Sequence, residues 1–320
     1  MCYSAQIEAD YKKFVRMFGA TMDIREFARV YWERAEGRLK AKIPKRMDDS
    51  FATPQSDAEL EIKKLIDLFN AGQAATLEEE LFKQRARLVA AERTLKTKTT
   101  KAAIESKRIA GDKIEATLRR LDDIKRTESE PRDSRIFPGY YAPVLVVENG
   151  RRVVKPMRYQ CRLAGKPANY DFKYPGTYNA RKDSLGGFWK GLFGYSQGLV
   201  LVDAFYENVS KAKMEGRQLS DGERDENVVL EFRPNNGQKM LVACLWSKWA
   251  GPGEPDLYSF AAITDEPPPE VTAAGHDRCI IPIKEQYIDA WLNPDPNDLA
   301  VQYAILDDRE QPYYEHRLAA

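Results

Sequence analysis

Histidine is nearly missing from this chain: there are two in 320 residues, beside four widely spaced cysteines, Cys2, Cys161, Cys244 and Cys279. No C-x-x-C pair occurs, and a structural zinc site needs a close set of such ligands, so no metal or other cofactor is expected. Net charge is missing too. Fifty Lys and Arg against 49 Asp and Glu leave +1, so bulk charge selects no polyanion, and any nucleic-acid binding must come from a local basic patch. No run approaches the ~20 apolar residues that span a bilayer, and the opening MCYSAQIEADYKKF has no signal-peptide apolar stretch. The expectation is a cytoplasmic protein without membrane contact. What the chain does have is length, enough to bury a large core in one domain or two.

Residues 24–32 set Ile24, Phe27, Ala28 and Tyr31 at i, i+3, i+4, i+7, which predicts an amphipathic helix. The basic, proline-broken stretch 42–46 predicts loop. Residues 57–128 differ in kind. Ile62, Leu65, Ile66 and Phe69 share one face of a helix ending at Ala71-Gly72, and Thr76 with Glu79 reads as the capping box of a second helix. Leu77, Leu81, Leu88, Ala91 and Leu95 follow at heptad-compatible spacing. After the polar break at 96–100, a third helix runs to about Arg126 with Ile114, Leu118 and Leu121 as its stripe. This predicts a helical, coiled-coil-like insertion at 57–128. Its charged faces read first as solvated surface, and second as an arm for DNA or a protein partner.

From Phe137 the texture turns to β. Two β-rich runs flank Asn149-Gly150, a strong hairpin signal. Further strand-like runs lie at 199–202, 228–232, 240–246 and 257–263, with short helical turns near 185–192 and 284–291. Without alternating helices the sheet is not doubly wound. The fold class is α+β around an antiparallel, barrel-like sheet with peripheral helices. The domain reading is one domain, 1–320, with core 1–50 and 137–320 interrupted by the insertion.

Four strings carry chemistry. Met1-Cys2 puts a small side chain behind the initiator, and aminopeptidases trim Met there, leaving an α-amine and a thiol on one residue. These titrate near pH ~8 and ~8.5, so both are partly nucleophilic at neutrality. Together they trap an aldehyde as an imine that closes to a thiazolidine; a chain-terminal cysteine can equally be frayed and inert. Asn179-Ala180-Arg181 offers an amide donor and acceptor and a planar, phosphate-suited fork. Glu207 ends the apolar run of 199–207, where partial desolvation would favour acid–base work; a salt-bridged structural carboxylate fits as well. His276, in Gly275-His276-Asp277-Arg278, titrates near neutrality and suits proton shuttling, although a lone histidine is also often structural. Cys244 and Cys279 lie in apolar runs and read as buried small hydrophobes.

Taken in order, these strings resemble the SOS response-associated peptidase family, SRAP. Cys2, Asn179-Ala180-Arg181, Ala204-Phe205-Tyr206-Glu207 and His276-Asp277-Arg278 match its motifs, with support from residues 157–159, 244–246, 259–264 and 290–292. The similarity covers 1–50 and 137–300 and leaves the insertion outside. There are departures. Ser4 stands where the family has a phosphate-contacting arginine, residues 160–164 replace the segment bearing a tryptophan wedge, and Asp183 stands for a glutamate.

The resemblance implies a DNA-damage-response protein that crosslinks covalently to abasic sites in single-stranded DNA through Cys2, with a lyase-like processing activity and nucleoid association when bound. It further implies catalytic roles for Cys2, Asn179, Glu207 and His276, and DNA contacts from Arg158, Arg181 and Arg278. Tyr159 is the candidate for the missing aromatic platform. The family name keeps a cysteine-peptidase alternative open, including one limited to self-removal of Met1. A non-catalytic DNA- or partner-binding protein is the third reading.

Overall fold

The computed structural model describes residues 3–39, 42–220 and 222–319. Twelve strands among them join one branched sheet: β1 (Ser4–Ile7), β2 (Thr21–Met22), β3 (Arg135–Ile136), β4 (Tyr141–Glu148), β5 (Arg151–Tyr159), β6 (Asn179–Arg181), β7 (Gln197–Ser210), β8 (Asn227–Pro234), β9 (Met240–Gly251), β10 (Glu254–Asp265), β11 (Cys279–Ile280) and β12 (Tyr314–Leu318). The main path runs β11-β10-β5-β4-β7-β1-β3, with β8, β9 and β12 branching from it. The expected α+β class holds, and most pairs are antiparallel. Parallel pairs occur where β10 meets β5 and β6, and where β2 meets β5.

The local chemistry explains the hairpins. Asn149 and Gly150 both take positive φ, 49° and 70°, as a two-residue primed turn requires, and join β4 to β5 in full register. The axis of the sheet is β7. Its 14 residues pair with β1, β4, β8 and β9, and most of them are buried, as suits a strand covered on both faces. Gly198 on β7 is packed so closely that an added Cβ would meet Val144 Cγ1 at 3.0 Å and the Leu145 carbonyl at 3.2 Å. Trp291 is fully buried and donates its indole N–H to the Gly198 carbonyl at 2.9 Å.

Helices α1 (Tyr11–Phe18) and α2 (Ile24–Ala35) pack on β5, and α3 (Lys45–Asp49) packs on the short turn Pro131–Ser134. Phe14, Phe27, Tyr31 and Phe51 are fully buried there. Asp10 and Asp23 cap α1 and α2 by accepting from Lys12 and Glu26 amides. The stretch expected as loop at 42–46 ends inside α3, because Pro44 supplies an extended N-cap from which Lys45 starts a helix.

The insertion holds two helices, not three. α4 (Asp57–Thr97) runs unbroken for 41 residues, and α5 (Lys101–Lys125) returns against it. A glycine inside a helix costs only about 1 kcal/mol, and Gly72 lies among alanines that favour helix. Thr76 does not cap anything: its hydroxyl bonds back to the Gly72 carbonyl at 3.0 Å. The cap of α4 is Ser56, and the polar break does form a turn, with Thr100 capping α5. No helix among the described residues is long and apolar enough to cross a membrane.

Candidate functional site

Glu207 is fully buried on β7, opposite Leu230 of β8. His276 is also buried, in the turn between the helix Pro269–Ala273 and β11. Gly275, at φ 97°, makes that turn; a side chain there would be strained and would press on Lys213 Cβ at 3.1 Å. The turn brings His276 Nε2 to 3.1 Å from Glu207 Oε2. On the other side of the ring, Nδ1 lies 2.9 Å from the Arg278 carbonyl and 3.3 Å from its amide nitrogen. Nδ1 can donate to that carbonyl or accept from that amide, according to the tautomer, while Nε2 faces the carboxyl. Burial pushes the imidazole below its ordinary value, against the opposing pull of the Arg278 hydrogen bond. An imidazole and a carboxyl therefore meet within hydrogen-bond distance in a buried site.

Cys279 forms part of the surrounding wall. Burial first, and then the charge of Glu207, push its thiol well above the ordinary value. Cys244 is fully buried and likewise raised by desolvation. Both are packing groups, as their apolar sequence context implied. Cys2 lies outside the described residues.

Asn179 opens β6 in register with Ala262 of β10 and is buried. Its Oδ1 accepts from the Tyr159 hydroxyl at 3.4 Å, and its Nδ2 has no hydrogen-bond partner among the described residues. Tyr159 is a correction to the sequence reading. Its ring is 3% exposed, stacked on Phe260 at 5.2 Å and edge-on to Tyr178 at 5.7 Å. A base cannot stack on it; it supports Asn179 from within the core.

The three arginines expected on phosphate differ in their state. Arg158 binds Asp171 at 2.8 Å, and Arg162 shares the same carboxylate at 2.5 Å. Burial pushes the Asp171 carboxyl up, but the two guanidiniums outweigh it and hold it below the usual range. Arg158 is thus a half-buried structural cation whose charge is largely spent. Arg181 is exposed and pairs with Asp183 at 2.7 Å. The Asp183 carboxyl is lowered by the Ser184 hydroxyl, then by Arg181 and Arg278, and Arg278 is itself partly buried.

Arg135 is the functional candidate that sequence reading passed over. β3 pairs with β1, so its side chain reaches Ser4 Oγ, 3.2 Å from Nε and 3.1 Å from the second terminal nitrogen. Its guanidinium lies 3.7 Å over the Tyr206 ring and 5.0 Å from that of Phe137. No carboxylate pairs with it among the described residues. Phe137 in turn packs edge-on against half-exposed Tyr3 at 5.7 Å. Two cavities flank this cluster. One of about 870 Å³ is lined by Tyr3, Arg158, Gln160 and Tyr178. The other, about 560 Å³, is lined by Lys42, Arg126, Arg132, Arg135 and Phe137 at the root of the insertion. The only sequence signal for Arg135 was its place just before the aromatic run 137–141.

Comparison with known proteins adds the following. The chain is similar to a protein from Bordetella bronchiseptica at 15% identity, over 61% of this chain and 90% of that one, with a TM-score of 0.45. A phage-related protein from the same organism gives 18%, 61%, 84% and 0.43. A protein from Bacteroides thetaiotaomicron gives 11%, 58%, 78% and 0.44. None of the curated proteins compared with the chain matches it. Residues 94–317 match the SOS response associated peptidase family, a span that takes in Asn179, Glu207 and His276 and starts after Cys2. The chain belongs to the SRAP family.

Proposed function

We propose that this SRAP protein, DNA-damage-associated as its family is, captures abasic sites in single-stranded DNA by forming a thiazolidine on Cys2. The observation that carries the reading is the register of β1 on β7. Ser4 stands opposite Tyr206, one residue before Glu207. Consecutive Cα atoms are 3.8 Å apart, so chain connectivity keeps Cys2 within about 8 Å of Ser4 Cα. The start of β1 thus runs beside the strand that carries Glu207, and this is what supports the reading.

The chemistry balances with these groups alone. The Cys2 α-amine adds to the C1′ aldehyde of a ring-opened abasic deoxyribose, and the amine proton passes to the resulting oxygen. Loss of that oxygen as water gives an imine. The Cys2 Sγ then adds to the imine carbon, and its proton goes to nitrogen. One water leaves in total. Glu207 and His276, 3.1 Å apart, relay the proton at each stage. Asn179, with Nδ2 available, orients the amine. Arg181 and Arg278 hold backbone phosphates without regard to sequence, and Arg135 joins them. Arg158 has the weaker case because Asp171 already engages it.

The test is an abasic single-stranded oligonucleotide incubated with the protein and resolved on a denaturing gel. A covalent band is expected, and Cys2→Ala abolishes it. Absence of the band from wild-type protein whose mass shows Met1 removed sinks the proposal.

A further inference from the structure

The outer face of the insertion carries a second pattern that the hairpin itself does not use. Ile62 and Ile66 of α4 belong to the main core, whereas Leu81 and Ala91 are buried outside it, as are Ala103, Ala110 and Leu121 of α5. On the opposite side of α4, Leu68, Ala75, Phe82 and Val89 recur every seven residues. Leu68 is 62% exposed, Phe82 76% and Val89 57%. A seven-residue step drifts only ~20° around an α-helix, so the four lie along one narrow line. Such a line is the seam of a coiled coil, left open here.

Charge names the occupant. Charges near α5 pair across the hairpin: Lys107 with Glu92 at 3.1 Å, and Lys113 with Glu80 at 3.8 Å. Those beside the stripe do not. Glu78 and Glu79 precede Phe82, while Lys83, Arg85, Arg93 and Lys96 follow it. All six are exposed, with no ion pair among the described residues. Lys64 is the exception to this acidic-then-basic order. A helix face acidic at one end and basic at the other complements itself only in antiparallel alignment.

We propose that the chain forms an antiparallel homodimer through this face of α4, about a two-fold axis at Phe82. Phe82 packs on its own counterpart, a large aromatic anchor at the interface centre. Counting outward, Ala75 meets Val89 of the other copy, Glu79 meets its Arg85, and the Lys96 stem covers its Leu68. The two hairpins together make a four-helix arrangement, with the SRAP cores at opposite ends.

Light scattering or sedimentation of the full chain across the micromolar range tests this independently of any DNA chemistry. The expected mass is twice the 36.6 kDa of one chain, and Phe82→Glu returns it to one. Glu79→Arg and Arg85→Glu each weaken the dimer at least tenfold, and the double exchange Glu79→Arg/Arg85→Glu restores it. Circular dichroism confirms that these surface variants keep their helix. A monomer throughout, a dimer indifferent to Phe82→Glu, or a double exchange that fails to rescue overturns the proposal.

Discussion

The Arg135 guanidinium rests on the Ser4 hydroxyl, with contacts of 3.2 and 3.1 Å, and so brings a cation from β3 to the first residue of β1. Arg135→Ala should weaken binding of intact single-stranded DNA whatever its sequence. The log–log salt slope should fall by roughly 0.7, the share of one phosphate contact on a single strand. Fluorescence anisotropy at several salt concentrations measures both, and unchanged values remove Arg135 from the phosphate track.

Replacing Glu207 by Gln keeps the shape of a fully buried side chain and removes its proton chemistry. Crosslink formation on an abasic oligonucleotide should slow by about 10²- to 10⁴-fold, the usual reach of one acid–base group, with DNA affinity retained. Single-turnover gel kinetics provide the rate. A wild-type rate in Glu207→Gln takes the pair out of the scheme.

The lowered His276 value fixes the sign of a pH effect. Between the folded value and the ordinary 6.5, the unfolded chain binds more protons at this site than the folded one. Stability should therefore fall as pH drops below 6.5 and level off once the folded imidazole also protonates; above 6.5 the site contributes no slope. Urea midpoints across that window should decline less in His276→Gln. Parallel declines in the two proteins contradict the assignment.

Gly198→Ala tests the packing beneath the site. The new methyl would press on Val144 and on the Leu145 carbonyl, and overpacking of this kind costs about 1–3 kcal/mol. Thermal melting should show a midpoint several degrees lower, with the Glu207–His276 chemistry intact at low temperature. No shift would mean that β4 yields freely to β7.

Most of this was readable from residues alone, for identifiable reasons. The Asn149-Gly150 turn and the four later strand runs announced themselves through local chemistry, whereas the contact between Glu207 and His276 is visible only in the fold. The join at 71–76 misled because Gly72 and Thr76 carry boundary signals that a helix of strong formers overrides. Tyr159 misled because nothing in a strand run tells which face Phe260 and Tyr178 will cover. Arg135 escaped notice because its importance is a matter of strand pairing. Its partner Ser4 is 131 residues away.

That same pairing has a consequence for the order of events during synthesis. β1 is flanked by β3 on one side and β7 on the other, and the Gln6–Tyr206 contact spans 200 residues. During synthesis β1 has neither neighbour until β3 and then β7 have followed, so this part of the sheet, and with it the Arg135–Ser4 contact, closes late.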